Sequence, residues 1–301
     1  MKKKRLLFVF LAGVAVAYLC VSCTYDYFVD ETNYRIFVPE VASGAVKGCY
    51  VAVYNEAGAL VRSRSTGVSD DPRAKTGVFA FRLQPGKYTA YCYANVDDLQ
   101  IVEAASADQA FISMKPVNAR DSHAYALPPE VVFQKLTPEI GNRFEQRVDT
   151  TSLERYVGRI TVRFKNIPVS LPDVMRVQLE ADGVATRQYF SRDTLTSRFT
   201  EQDYIFDESL ATPGKPGGEW EVDHYYFPSI PDQLTRLTIR FLNASGGVLN
   251  EIPVEVMDTK TVRPLPLLHG RRIILEIDSY MIIGIGLTGW DEDIDHSGRE
   301  I

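Results

Sequence analysis

The chain has 301 residues, of which 45% are hydrophobic and 11% aromatic, and its formal net charge at pH 7 is −6. A chain of this composition can bury a core, which excludes an intrinsically disordered polypeptide. Its acidic balance makes the surface a poor partner for nucleic acid or for anionic lipid head groups.

The first 22 residues have the features of an export signal. Four basic residues, "KKKR", follow Met1, and the uncharged apolar run "LLFVFLAGVAVAYL" then extends for 14 residues from Leu6 to Leu19. A positively charged start before a short apolar run is typical of secretory signals. A membrane-spanning helix needs about 20 apolar residues, so this run is too short for a comfortable permanent anchor.

The end of this signal contains the pattern "CVSC", from Cys20 to Cys23. It resembles the lipobox of bacterial lipoproteins, in which a cysteine thiolate accepts a diacylglyceryl group and the peptide is cut just before that cysteine. We therefore expect cleavage after Ser22 and a lipid on Cys23, although Cys20 stands where leucine is commonest. The alternatives are an ordinary secretory cut, a retained anchor, and acylation of Cys20, which the preceding "YL" fits less well.

Removal of residues 1–22 takes away four basic and no acidic residues, so the net charge of the remainder becomes about −10. Membrane attachment would then depend on covalent lipid, and more than one acyl chain is needed for a stable hold.

Beyond the signal region and Cys23, only two cysteines remain, Cys49 and Cys92, and both lie in predicted strands. An exported protein could join them in a disulfide. The alternative is that both are buried small apolar side chains, as free cysteines usually are. Neither lies in a metal or redox motif, so we predict no such role.

The first half is predicted to form short strands whose side chains alternate between two faces. Cys49, Val51 and Val53 share one face, and the turn "NEAG" leads into a second strand, which predicts a hairpin. The segment "GVFAFRLQPGKYTAYCYAN" predicts another hairpin, with a type II turn at Pro85 and Gly86. The polar stretch "DDLQIVEAASADQAFISM" predicts a short helix or a long loop.

Composition changes around the polar segment "EQRVDTTSLERYVG", after which alternating runs resume. In "GRITVRFKN", Ile160, Val162 and Phe164 point one way while the polar residues between them point the other, as in half-buried antiparallel strands. Because no long amphipathic helix stands out, the sequence predicts an all-β protein with two tandem β-sandwich domains, residues 23–150 and 151–301, after the signal at 1–22.

Nothing in the sequence makes a convincing active site. The four histidines are scattered, and no hydrolase, nucleotide-binding or zinc-peptidase motif occurs. Asp121, Ser122 and His123 are adjacent, but neighbours on an extended chain face apart. The alternating Asp291, Asp293 and Asp295 lack the glycine and the glutamate of a calcium loop. We therefore expect no enzyme activity, cofactor, metal or small-molecule substrate.

The segments "YDYFVDETNYRIFVPEV", "KGCYVAVYNEAGALVRSRS" and "GVFAFRLQPGKYTAYCYANVDD", in this order after a lipobox, resemble the FimB-like anchor lipoproteins of the type V fimbriae of Bacteroidia. The likeness covers the first domain and, more loosely, the second. It implies two transthyretin-like sandwiches. It also implies a protein at the cell surface that holds the base of a fimbrium to the outer membrane, ends its growth and contacts the stalk subunit by strand exchange.

On this resemblance the candidate donor strand is the last one, in which Ile283, Ile285 and Leu287 share a face. Gly284 and Gly286 on the other face would allow a close approach to a neighbour. The alternative is an ordinary core strand. Rival functions are a fimbrial tip or accessory adhesin and a surface glycan-binding lipoprotein. The latter would display an aromatic platform, whereas Tyr88, Tyr91 and Tyr93 lie in alternating strands that favour packing.

Overall fold

The computed structural model describes residues 31–67, 71–118, 121–166, 173–191, 204–210, 220–229, 233–258 and 260–292, without the side chains of 118, 121–123 and 204–210. Signal residues 1–22, Cys23, Asp293 and Asp295 lie outside these ranges. Nearly all regular structure is β-strand, so the all-β prediction is confirmed. The exceptions among the described residues are an α-helix, α1 (Pro39–Ala42), and a 3₁₀ helix (Pro72–Thr76).

Two sheets form a sandwich in the first half. The smaller has the order β12 (Arg147–Thr150), β1 (Tyr34–Phe37), β4 (Val78–Phe81), in which β1 is parallel to β12 and antiparallel to β4. The larger has the order β13 (Glu154–Arg155), β10 (Val132–Leu136), β5 (Gly86–Ala94), β2 (Cys49–Asn55), β3 (Leu60–Ser65), with β11 (Glu139–Ile140) also paired to β5.

The alternation read from the sequence determines the core between these sheets. Cys49, Val51 and Val53 lie on one face of β2 and are buried against residues of the smaller sheet such as Ile36 and Phe79. The predicted hairpin is also present, since β2 pairs with β3 in antiparallel register. The prediction for these strands is therefore confirmed.

The second predicted hairpin is wrong. β4 pairs with β1 and β5 pairs with β2, so the two strands lie in different sheets. The side-chain amide of Asn33 donates to the Leu83 carbonyl (2.9 Å) and accepts from the Leu83 amide (2.8 Å), which keeps the chain beside β1 after β4 ends. Gly86 has φ +151° and already begins β5, which is not the φ of about +80° that a type II turn requires.

A glycine ends the 3₁₀ helix where a side chain would not fit. Gly77 has φ +80°, and a Cβ there would lie 2.5 Å from the Val38 carbonyl oxygen. Its left-handed conformation is typical of a residue that ends a helix. It brings the chain back beside β1, where the Val38 amide donates to the Gly77 carbonyl at 2.8 Å.

The second sandwich consists of one sheet of four strands and one of six. One has the order β18 (Trp220–Tyr226), β14 (Gly158–Lys165), β23 (Arg271–Asp278), β24 (Met281–Gly289). The other has the order β20 (Val248–Glu255), β19 (Arg236–Leu242), β15 (Arg176–Asp182), β17 (Tyr204–Leu210), β9 (Asp121–Ala126), β8 (Pro116–Asn118). Ile160, Val162 and Phe164 are buried between them, as the sequence predicts.

Strands cross between the halves. β6 (Gln100–Val102) and β7 (Phe111–Ser113) form an antiparallel pair where a helix or loop is predicted, and β7 also pairs with β16 (Arg187–Tyr189). β9 runs parallel to β17. A two-stranded ribbon, β21 (Met257–Asp258) and β22 (Arg263–Pro264), completes the described strands. The division at residue 150 stays a prediction, and residues before it contribute strands to the second sandwich.

Candidate functional site

The last strand, β24, lies at the edge of its sheet. Among the described residues it pairs with β23 and with no strand on its outer side. An edge strand presents a row of backbone groups to which another chain can add. The outer edge of β24 is therefore the candidate interaction surface.

The structure places the three predicted donor residues in two different environments. Ile285 is opposite Leu275 and Leu287 is opposite Ile273, and both pack against the buried core. The register then shifts, so that Ile282 rather than Ile283 faces Ile277. Ile283 is the extra residue of this bulge and is 52% exposed. The three side chains therefore do not form one continuous face.

The exposed end of β24 is apolar. Met281, Ile282 and Ile283 are 68%, 39% and 52% exposed. They follow a two-residue turn in which Ser279 (φ +47°) and Tyr280 (φ +81°) both have positive φ, as in the tightest hairpins. Exposed apolar side chains on an unpaired edge are what an added strand would cover.

The turn before this apolar end is held in place by its neighbours. The Ser279 amide donates to the Lys165 carbonyl (3.2 Å), and the Tyr280 ring meets Phe241 edge-on with centroids 5.5 Å apart. Hydrogen bonds from Asn166 and Ser279 lower the pKa of Asp278, which keeps that carboxylate ionised in the turn. The start of β24 is thus attached to the core of the second sandwich.

The opposite end of β24 is held by an aromatic and cationic cluster around Trp290, which we call the Trp290 cluster. The guanidinium carbons of Arg155 and Arg159 lie 4.7 and 4.6 Å from the Trp290 ring centroid. Tyr225 stacks on the ring, with centroids 5.9 Å apart and an interplanar angle of 7°. Arg155 also pairs with Glu130 of the first half, at 2.9 Å. The cluster therefore fastens the end of β24 to the junction of the halves.

Replacing Arg155 with methionine is expected to lower the free energy of unfolding by about 1 kcal/mol, because it removes a cation over Trp290 and a partly exposed ion pair while keeping the apolar stem. Urea unfolding of both proteins measures the change. Arg271→Met is the control, since Arg271 is exposed on neighbouring β23. Equal losses in both variants would contradict the role of the cluster.

The face of the β24 sheet that is opposite Ile273 and Leu275 carries a network of charged side chains. Glu276 is 2% exposed and lies 3.6 Å from Lys165, while the Arg272 guanidinium donates to Thr161 (2.7 Å) and to Glu221 (3.0 Å). Burial lowers the pKa of Arg272. A Cβ at Gly284 would lie 3.3 Å from Glu276 Oε2. The glycine thus leaves room for a carboxylate of its own sheet.

The predicted tyrosines are buried. Tyr88, Tyr91 and Tyr93 are 9%, 3% and 0% exposed. Burial raises the pKa of Tyr93 well above its ordinary value. These three rings therefore offer no exposed platform for a glycan.

A phenylalanine of the second half lies among tyrosines of the first. The Phe190 ring centroid is 5.0 Å from that of Tyr93, 5.5 Å from Tyr91, 6.1 Å from Tyr50 and 6.4 Å from Tyr54. Phe190 is 4% exposed. This packing, which we call the Phe190 joint, buries the second face of the larger first-half sheet. It explains why both alternating faces of β2 are apolar.

Cys49 and Cys92 are free thiols on adjacent strands, with Cys92 opposite Val51. Both are buried in the first core. Burial raises the pKa of Cys49 to about 12 and that of Cys92 well above its ordinary value. Both are therefore buried free thiols in the structure. The disulfide between them stays a prediction.

The residues considered for chemistry stay apart. His224 is buried in β18, and the His269 ring packs on Tyr156 with centroids 4.8 Å apart. In the part of the chain that the structure describes, no three His, Cys, Asp or Glu side chains are grouped as metal ligands. Nor does any helix in those ranges have the length and apolarity to cross a bilayer.

Sequence reasoning missed the structure of the polar segment near residue 150. Its residues form β12 and β13, and Arg155 reaches Trp290. The available signal was the alternation of Val148 with charged residues, but Val148 is 59% exposed, so no apolar face marks the strand. The contact between Arg155 and Trp290 joins residues far apart in the chain, so the sequence around either residue does not predict it.

Comparison with solved structures shows the fold. A candidate polysaccharide-binding protein from Bacteroides thetaiotaomicron aligns with a TM-score of 0.55 and 13% identity, over 88% of this chain and 99% of that one. A candidate adhesin from Bacteroides ovatus aligns with a TM-score of 0.53 and 15% identity, over 82% and 89%. The fimbrial anchor protein Mfa2 from Porphyromonas gingivalis has a TM-score of 0.48 and 14% identity, over 85% and 97%.

No curated protein sequence matches the chain. The profile of the fimbrillin-A associated anchor proteins Mfa1 and Mfa2, in contrast, matches residues 19–296. This range contains both halves and all the strands described above. The chain therefore belongs to the family of fimbrillin-A associated anchor proteins, which are fimbrial proteins of the cell envelope and not enzymes.

Proposed function

We propose that this protein is the basal subunit of a fimbrium, held at the outer membrane by acyl chains on Cys23, and that it ends fibre growth. The observation that carries the proposal is the family match over residues 19–296. The lipobox-like "CVSC" at its start supplies the attachment. A subunit fixed to the membrane cannot move outward as the fibre grows, so it is suited to the terminal position.

The short distance from Cys23 to the fold supports attachment close to the membrane. The first strand, β1, begins at Tyr34, eleven positions after Cys23. A fully extended chain of eleven residues spans at most about 40 Å. A lipid on Cys23 would therefore hold the first sandwich near the head groups.

We further propose that the stalk subunit contacts the outer edge of β24 by strand pairing. Main-chain hydrogen bonds along an added strand would supply affinity, and the exposed Met281, Ile282 and Ile283 would supply apolar contact. The Trp290 cluster and the Tyr280 contact hold both ends of β24. They favour a strand that stays in its sheet and receives a partner over one that leaves to be donated.

The Cys23→Ala variant tests the attachment. Because the alanine side chain cannot be acylated, we expect the protein and the fimbriae to move from the membrane fraction to the medium. Cell fractionation and electron microscopy of the shed fibres measure this. The control is Cys20→Ala, which leaves the acceptor in place and is expected to retain both on the cell.

Retention of fibres of normal length on Cys23→Ala cells would contradict the proposal. If the protein is shed while the fimbriae stay attached, the result would instead favour a tip or accessory subunit. That outcome would overturn the basal position.

A further inference from the structure

We propose that the β1–β12 pair is a force-bearing clamp, loaded in shear between the N-terminal attachment and the second half of the chain. The biological load rests on the proposed function, because a basal subunit carries the tension on its fimbrium. The geometry of the clamp is a property of the fold. It can be measured without lipid, membrane or partner.

The clamp begins at the first residues that the structure describes. The backbone amide of Asn33 donates to the Phe81 carbonyl (3.0 Å), and its carbonyl accepts from the Arg147 amide (2.9 Å). Its side chain makes the two bonds to Leu83 given above, and the residue is 2% exposed. Asn33 therefore extends the ladders on both sides of β1, at the end nearest Cys23.

The direction of the strands determines how tension acts on them. β1 is parallel to β12, with Tyr34 opposite Arg147 at one end and Phe37 opposite Thr150 at the other. Tension from the N-terminus reaches β1 at the Tyr34 end. The chain leaves β12 for the second half at the Thr150 end. Opposed forces thus act at opposite ends of the pair, and the evenly spaced bonds of a parallel ladder share the load.

Side chains oppose the same sliding movement. The Tyr34 hydroxyl donates across the pair to Asp149 Oδ2 at 3.0 Å. Arg147, on the same strand as Asp149, orients that carboxylate through its Nε, which lies 3.1 Å from both oxygens. Tyr34 and Ile36 are both 0% exposed in the first core. Withdrawing β1 would therefore break this lock and expose apolar surface to water.

The far end of the pair is also closed. The Thr151 amide donates to the Phe37 carbonyl at 2.9 Å, and its hydroxyl donates to the same oxygen at 3.3 Å. β13 follows at once and pairs with β10 of the larger sheet. Tension from the second half is therefore taken first by β13 in the larger sheet and then by β12 in the smaller one.

The test is single-molecule pulling of the lipid-free chain from Thr24 onward. The first handle is at the N-terminus in both geometries, and only the position of the second handle differs. Ser152→Cys puts a handle just after β12, which loads the ladder in shear. Phe144→Cys puts it just before β12, which peels the ladder from one end. Ser152 and Phe144 are exposed, whereas Cys49 and Cys92 are buried, so the handle is attached selectively.

We expect the rupture force in the Ser152 geometry to be roughly two- to fourfold higher than in the Phe144 geometry at the same loading rate, because four register pairs are loaded together and not in turn. Equal rupture forces would overturn the proposal. Urea unfolding of the two handle variants checks first that they are equally stable.

A pair of matched substitutions separates the clamp from general stability. Tyr34→Phe removes the hydroxyl that binds Asp149, and Tyr50→Phe removes a hydroxyl that donates to Glu103, also at 3.0 Å. Only Tyr34→Phe is expected to lower the rupture force in shear. An equal reduction by Tyr50→Phe would contradict the lock. Because no assay step involves Cys23, these outcomes are independent of the attachment test.

Discussion

Replacing Phe190 with alanine is expected to lower the free energy of unfolding by about 3–5 kcal/mol, the range for a buried phenylalanine truncated to alanine. The ring lies within 6.4 Å of four tyrosine rings of the first half, centroid to centroid. Its removal leaves a cavity that side chains attached to rigid strands cannot close. Aromatic pairs add a further contribution to the apolar transfer term.

Chemical denaturation of the lipid-free protein measures this loss. Phe144→Ala is the matched control, because Phe144 is 81% exposed and its removal is expected to change stability by less than about 0.5 kcal/mol. A loss below about 1 kcal/mol for Phe190→Ala would mean that the cavity collapses. The Phe190 joint would then contribute little to holding the halves together.

Ile283→Lys is expected to reduce capture of the stalk subunit by roughly an order of magnitude while leaving the fold intact, because a charged side chain on an edge strand opposes the addition of another strand. Ile283 is 52% exposed at the bulge of β24, so lysine can extend into water. The measurement is the amount of stalk subunit that co-purifies with the protein from detergent extracts.

Val248→Lys provides the control for this surface. Val248 is 56% exposed on β20, at the edge of the other large sheet, and the same change is expected to leave stalk capture unaltered. Unchanged capture by Ile283→Lys would rule out pairing at the β24 edge. Reduced capture by both variants would mean that added charge acts through the whole surface.

The strands of both cores could be predicted in part because strand faces are local. Side chains alternate along a strand whatever its neighbours are, so the apolar spacing of Cys49, Val51 and Val53 already identifies a core face. The same holds for Ile160, Val162 and Phe164. Tyr50 and Tyr54, on the second face of β2, follow the same alternation, because that face is buried as well.

The candidate site could be predicted only in outline. The sequence indicated a last apolar strand with glycines, and β24 is that strand. The bulge that separates Ile283 from Ile285 depends on how β24 meets Glu276 and Ile277 of β23. The contact of Trp290 with Arg155 joins residues far apart in the chain. Neither feature follows from the spacing of residues within one strand.

The sequence by itself determined the core strands whose side chains alternate, such as β2 and β14, and which of their faces are apolar. The signal before Cys23 stays a prediction. Only the tertiary structure decided which strands are neighbours: β4 beside β1, β1 beside β12, and β9 beside β17. The physical reason is that pairing uses backbone N–H and C=O groups, which are the same in nearly every residue. Partner choice therefore depends on how the whole chain packs, and with it the free edge of β24 and the direction in which β1 is loaded.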